Sequence, residues 1–205
     1  MDVESLLFSA PWLCVGIWCA VYAADHYMTI AGARLYTHGA KDHVFYEGSY
    51  ELNPAFEADV NALRLFGPRF VALLLLGSLV IAAFWYWAVQ TPETRNLFLF
   101  GYGALTFPEL ALVTRHAGNI ALFRRFQAHQ GVDGQIKYAR WLSIEASSIS
   151  LYTEAALLFA AALVTWKATL FGGVFGLLLN GLRQAMMSRR LRVKAQRSAD
   201  LAPTG

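Results

Sequence analysis

The chain has 205 residues, of which 57% are hydrophobic and 14% aromatic, while only 15% are charged. That balance excludes a disordered tail, a collagen-like fibre and a disulfide scaffold, and it points to a membrane protein. The net charge of +3 says little as a total and much through its distribution.

A hydrocarbon core of about 30 Å takes roughly 20 helical residues, and lipid leaves only helices or closed barrels to satisfy the backbone. Five apolar stretches reach that length, at about 6–36, 70–89, 97–123, 141–166 and 170–187, and none alternates with the period of a barrel strand. The expected fold is therefore all-α, a polytopic bundle of five transmembrane helices forming one domain over 1–190. A loop spans 37–69, and a basic, partly disordered tail covers 191–205. The opening Met1-Asp2-Val3-Glu4 is acidic, and the first run is too long for a signal peptide, so it reads as a retained span.

With the N-terminus outside, fifteen of the seventeen Lys and Arg fall on the inner side, and only Arg95 and Lys167 fall outside. The C-terminus is then inside, and the expected location is a bacterial cytoplasmic (inner) membrane. Trp12, Trp85, Trp87 and Trp166 near one interface and Trp141 near the other agree with this orientation. The basic residues after Met187 read as an anchor at anionic lipid headgroups, not as a nucleic-acid site. Membrane lipids are thus expected partners and nucleic acid is not.

Cys14 and Cys19 lie five apart in one apolar run and point to different sides of a helix, which implies neither a disulfide nor a zinc site. Gly172 and Gly176 form a small-x-x-x-small pair that permits close approach within the bundle or between protomers of a homo-oligomer.

Ionisable groups inside a span cost a few kcal/mol each, so each one needs a partner, a water-filled cavity or a function. Asp25 and Thr29 share a face of the first helix, with Gly32 one turn on. His26 points elsewhere and reads as a packed imidazole. Glu109, His116 and Asn119 form a stripe on the third helix, where Arg115 reads as snorkelling. On the fourth, Glu145, Ser148 and Tyr152 line one face, and Ser147, Ser150 and Glu154 the adjacent one. In the loop, Glu51 and Asn53 are two apart on an extended segment set by Pro54, so both can face the cavity from the cytoplasmic side. The Asn53-Pro54 step equally reads as a turn capping a helix that begins near Ala55.

Asp25-x-x-x-Thr29 followed by Glu51-Leu52-Asn53-Pro54, within roughly residues 20–60, resembles a pattern of small prokaryotic polytopic membrane proteins that form a domain-of-unknown-function family. The resemblance implies a membrane-embedded helical chain and no particular activity.

Three functions follow from these residues. The first is binding or translocation of a small cation or solute through Asp25, Thr29, Glu51, Asn53, Glu109, His116, Asn119, Glu145, Ser148, Tyr152 and Glu154, with Glu109 and Glu154 nearest the midplane. The second is a metal-assisted enzyme acting on a lipid headgroup, with Asp25, Glu51, His116 and Glu145 holding a divalent ion such as Zn²⁺ or Mn²⁺. No H-E-x-x-H, G-x-S-x-G or phosphate loop supports it. The third is a non-catalytic subunit or scaffold whose buried polar groups fix helix register.

Overall fold

In a computed structural model of the chain, which describes residues 2–128 and 134–200, 82% of the described residues are helical. Helix α1 covers Val3–Ser9 and α2 covers Pro11–Thr37. Strand β1 (Val44–Tyr46) and the short α3 (Glu57–Asn61) follow, then α4 (Pro68–Gln90) and α5 (Arg95–Gln127). Strand β2 (Ile136–Tyr138), α6 (Arg140–Thr165) and α7 (Ala168–Asp200) complete the order. Helices α2, α4, α5 and α6 are long and apolar enough to cross a membrane. In α7 the apolar half is interrupted by Asn180, Arg183 and Gln184.

Proline sets two of the helix starts. Pro11 is the first residue of α2, where its missing N–H costs nothing, and the chain breaks before it at Ala10 (φ −129°, ψ 78°). The expected first span from residue 6 is therefore two helices. Pro68 opens α4 in the same way. Helix α6 stops at Trp166, which takes a left-handed conformation (φ 54°) and donates its N–H to Ala162 O. The basic segment after Met187 is helical as far as Asp200, as the continuation of α7.

Two short strands add to the expected all-α bundle. Strands β1 and β2 pair in parallel, Val44 with Ile136 and Tyr46 with Tyr138, and so tie the segment after α2 to the segment before α6. Tyr36, Phe123 and Phe126 are buried beneath this ladder, and Tyr46 donates its N–H to Tyr36 Oη at 3.0 Å.

The long helices pack in the spatial order α4, α2, α5, α7, α6, each chiefly on its neighbours in that row. The α5/α7 contact brings backbone against backbone. A Cβ on Gly172 would overlap Phe100 O, and one on Gly176 would overlap Ala104 O. Pro108 cannot donate to Ala104 O, so that carbonyl is free of its helical bond, and Gly176 covers it. The glycine pair is thus used within the chain, on a face that α5 already occupies.

At the end of the helices away from the ladder, the short α1 packs on α2 and α5 and bonds the start of α7. Glu4 is buried, and its Oε1 accepts from both the N–H and the hydroxyl of Thr169, each at 2.9 Å, in the first turn of α7. Lys167 pairs with Asp2 at 2.6 Å, and Arg95 donates to Ser5 Oγ at 2.9 Å.

Candidate functional site

Both faces of α5 carry a cavity, towards the end of the helices where the ladder lies. The first has a volume of about 270 Å³ and sits among α2, α4, α5 and α7, with the segment Glu51–Pro54 across its end. Its polar lining comes from Asp25 and Thr29 of α2, Glu109, Arg115 and His116 of α5, and Asn180, Arg183 and Gln184 of α7. The second, of about 330 Å³, lies between α5 and α6 under Tyr46, Tyr50 and Tyr138, with Asn119, Ser143, Ser147 and Ser150 in its wall. Glu51, Leu52, Arg115 and His116 line both.

His116 is the hub. It is buried, its Nε2 lies 3.0 Å from Thr29 Oγ1 and 3.4 Å from Asp25 Oδ1, and its Nδ1 lies 3.4 Å from Tyr50 Oη. The Thr29 hydroxyl donates to Asp25 O at 2.9 Å, so towards the imidazole it accepts. That assigns the proton of His116 to Nε2 and leaves Nδ1 to accept from Tyr50. Tyr50 reaches this position because Gly32 has no side chain, and a Cβ there would overlap the tyrosine hydroxyl. The glycine one turn beyond Thr29 therefore admits a loop tyrosine into the site.

In the loop, Glu51 Oε1 accepts the Asn53 N–H at 2.7 Å, and Asn53 Oδ1 accepts the Ala55 N–H at 3.1 Å. Asn53 thus holds a turn while also lining the first cavity, and the helix that follows begins at Glu57 with Phe56 as its N-cap. Burial raises the Glu51 carboxyl above its ordinary range, opposed by the Asn53 N–H and by Arg115. Burial also pushes the Tyr50 phenol up to about 12, so it stays a hydrogen-bond donor at neutral pH. Arg115 donates to Ser147 Oγ across the second cavity, which makes it a bridge between α5 and α6 instead of a snorkelling side chain.

Two acceptor atoms in the lining of the first cavity are buried without a hydrogen-bond partner, Asp25 Oδ1 and Gln184 Oε1. Glu109, on the same cavity, has no hydrogen bond or ion pair to any described residue. Arg183 is an exposed residue and is likewise unpaired among the described residues. His26 also borders the cavity, but its ring stacks on Phe70 with centroids 4.1 Å apart, and its Nε2 lies 3.2 Å from Leu65 O.

The structure brings together Asp25, Thr29, Glu51, Asn53, Glu109 and His116 in the first cavity, and places Asn119 in the second. Four expected residues lie elsewhere. Ser148 donates to Gly181 O at 2.8 Å, Tyr152 packs over Gly181, and Glu154 accepts from Ser150 Oγ at 3.1 Å. Glu145 is half-buried on α6 and lines neither cavity. For Ser148 and Tyr152 the reason is that α6 packs on α7, whereas Ser143, Ser147 and Ser150 face the second cavity. Among the described residues no three His, Cys, Asp or Glu side chains come together as a metal-binding group. Asp25, Glu51, His116 and Glu145 therefore do not form the metal set considered from sequence.

The site also holds residues that sequence reasoning left out: Tyr50, Gln184 and Arg183. Asn180, Arg183, Gln184 and Met187 are spaced three, one and three apart, a helical stripe that was legible as such. Comparison with known proteins finds no family model, no curated protein and no solved structure that matches this chain.

Proposed function

We propose that the chain crosses the bilayer five times, with its N-terminus outside, and that the first cavity binds a small solute carrying an ammonium group, taken from the inner side of the membrane. The observation that carries this reading is the convergence on one cavity of Gln184 Oε1, buried without a hydrogen-bond partner, Asp25 Oδ1, which has no hydrogen bond and only the 3.4 Å ion-pair contact of His116 Nε2, and the unpaired carboxylate of Glu109. A buried acceptor left unsatisfied costs about 1–3 kcal/mol, so a donor-rich cation entering there recovers energy the fold leaves unclaimed. An ammonium donates three hydrogen bonds, which matches three acceptors from α2, α5 and α7.

The same cavity holds the positive Arg115 and Arg183. That mixture favours an organic solute with an anionic group as well over a bare metal ion. The volume of about 270 Å³ fits such a molecule.

The membrane placement draws on two further supports. The alternation of the long helices puts the C-terminal ends of α2 and α5 and the N-terminal ends of α4 and α6 at the cavity end, where most of the basic residues also gather. Helix α7, with 33 residues, is about 50 Å long and can cross the core and continue beyond it.

The test is thermal unfolding of the purified protein in detergent with a panel of small amines, amino acids and amino-phosphates. At ten times its Kd a true ligand stabilises by about 1.4 kcal/mol. The expected result is a raised Tm with at least one ammonium compound, lost in Asp25→Asn and in Glu109→Gln. A panel without effect on the natural chain, or equal shifts in both variants, would overturn the reading.

A further inference from the structure

Resting on that reading, we infer that the ligand is an amphiphile of the inner leaflet with an ammonium and a phosphate in its headgroup, and that it enters sideways between α4 and α7. The first cavity lies against one face of α5, with α2 and α4 on one side and α7 on the other. Helices α4 and α7 do not pack closely on one another, so neither closes the cavity against the other, and the short α3 adds only Val60 to its lining. Leu73 is what α4 contributes to the lining, and α7 contributes Met187 beside the polar Asn180, Arg183 and Gln184. In a bilayer such a gap faces acyl chains and not water.

The surfaces leading out of the gap suit a tail. On α4, Leu73, Leu76 and Val80 fall on one face and are 38%, 54% and 49% exposed. On α7, Leu179 is 50% exposed and stands one turn before Arg183. Both tracks run from the cavity towards the middle of the membrane, the direction in which the chains of an inner-leaflet lipid point.

The charges are ordered along the same line. Arg183 is on α7 with its guanidinium unpaired, while Asp25, Glu109 and Gln184 Oε1 supply acceptors within the cavity. A phosphoethanolamine headgroup carries its phosphate next to the tail and its ammonium at the far end. Entering from the gap, it would set the phosphate against Arg183 and the ammonium against the carboxylates. A cavity of about 270 Å³ holds a headgroup of that size, about eight non-hydrogen atoms, and excludes two acyl chains, which must then remain outside.

The experiment reconstitutes the full chain into bilayers of equal phosphatidylethanolamine and phosphatidylglycerol, extracts it gently and reads retained lipid by native mass spectrometry. In parallel, water-soluble O-phosphoethanolamine is tested by its effect on Tm. The natural chain should retain one phosphatidylethanolamine, at least tenfold over phosphatidylglycerol. Asp25→Asn and Arg183→Gln should lose both the lipid and the response to O-phosphoethanolamine. Leu76→Trp and Leu179→Trp, which narrow the path outside the cavity, should lose the lipid and keep that response. Using two path variants at exposed positions guards against one of them failing to fold.

Equal retention of the two lipids, or retention that survives Asp25→Asn and Arg183→Gln, overturns the inference. If O-phosphoethanolamine binds and no lipid is retained, sideways entry is wrong and the soluble-solute site stands. If another amine binds and neither phosphoethanolamine form does, the headgroup assignment fails alone. If nothing binds, the inference falls together with the proposed function.

Discussion

Gly32→Ala tests the seating of Tyr50 over α2, on which the site depends. Replacing glycine by alanine inside a helix normally stabilises by up to about 1 kcal/mol. Here the added methyl overlaps the Tyr50 hydroxyl and stands 3.1 Å from Cζ and 3.4 Å from Cε1. The phenol must then swing away. Overpacking of this kind costs about 2 kcal/mol, and loss of the long 3.4 Å bond to His116 Nδ1 adds about 0.5. The net expectation is destabilisation by about 1.5 kcal/mol. In a Tyr50→Phe background the overlapping oxygen is gone and the ring carbons need to yield only a few tenths of an ångström, so the same substitution should become stabilising by about 0.5 kcal/mol. A double-mutant cycle by denaturant unfolding in micelles thus predicts a coupling of about 2 kcal/mol and a change of sign. If Gly32→Ala destabilises equally in both backgrounds, Tyr50 does not lie over Gly32, and the loop side of the site is wrongly built.

Other outcomes check other parts of the molecule. Glu4→Ala should destabilise by about 2–4 kcal/mol in thermal or denaturant unfolding, because two buried donors at the start of α7 lose a charged acceptor, and Glu4→Gln should lose less. Glu51 has a folded-state pKa raised above its ordinary value, so the folded chain binds the proton more tightly than the unfolded one. Its contribution to stability therefore falls as pH rises from the ordinary carboxylate range through the raised pKa, and Glu51→Gln should flatten that part of the stability profile relative to the natural chain. Glu154→Gln should leave ligand-induced Tm shifts within about twofold of the natural chain, since its carboxylate bonds Ser150 and lines neither cavity. In a chain with Cys14 and Cys19 replaced by Ser, a cysteine at Lys194 should react with an impermeant thiol reagent only from the cytoplasmic side, and one at Glu93 only from outside. Labelling of both from one side would break the five-span count.

The long helices were legible because each apolar run is bounded by prolines or charges, and hydropathy sets most ends to within a few residues; the exceptions are the break at Ala10 and the basic end of α7, which runs on to Asp200. Asp25, Thr29 and Gly32 were legible as one face because nothing but helical spacing decides it. The Glu109, His116 and Asn119 stripe was legible too, but not its division, in which Glu109 and His116 border the first cavity and His116 and Asn119 the second. The α6 residues were misplaced because a polar face states that a partner exists without stating which one. Ser148 found the Gly181 carbonyl on α7 in place of a cavity. The β1/β2 pairing left no trace, since three residues on each strand carry no readable alternation and the partners are some ninety positions apart. Arg183 was hidden by its own usefulness: counted as an inner-side charge, it had already been explained.

What makes the site is the row order and not any single residue. A compact bundle of five helices would bring α4 or α6 around to close on the others and would fill both sides of α5 with side chains. Here α5 and α7 approach backbone to backbone through Gly172 and Gly176 along an extended contact, while α2 packs on α5 and not closely on α7. The first cavity lies between α2 and α7, and polar groups pointing into it avoid the cost they would carry against lipid. The glycines of α7 and the carboxylates of α2 and α5 are in this sense parts of one arrangement. Filling Gly176 would press α7 away from α5 and alter the cavity as surely as removing Asp25.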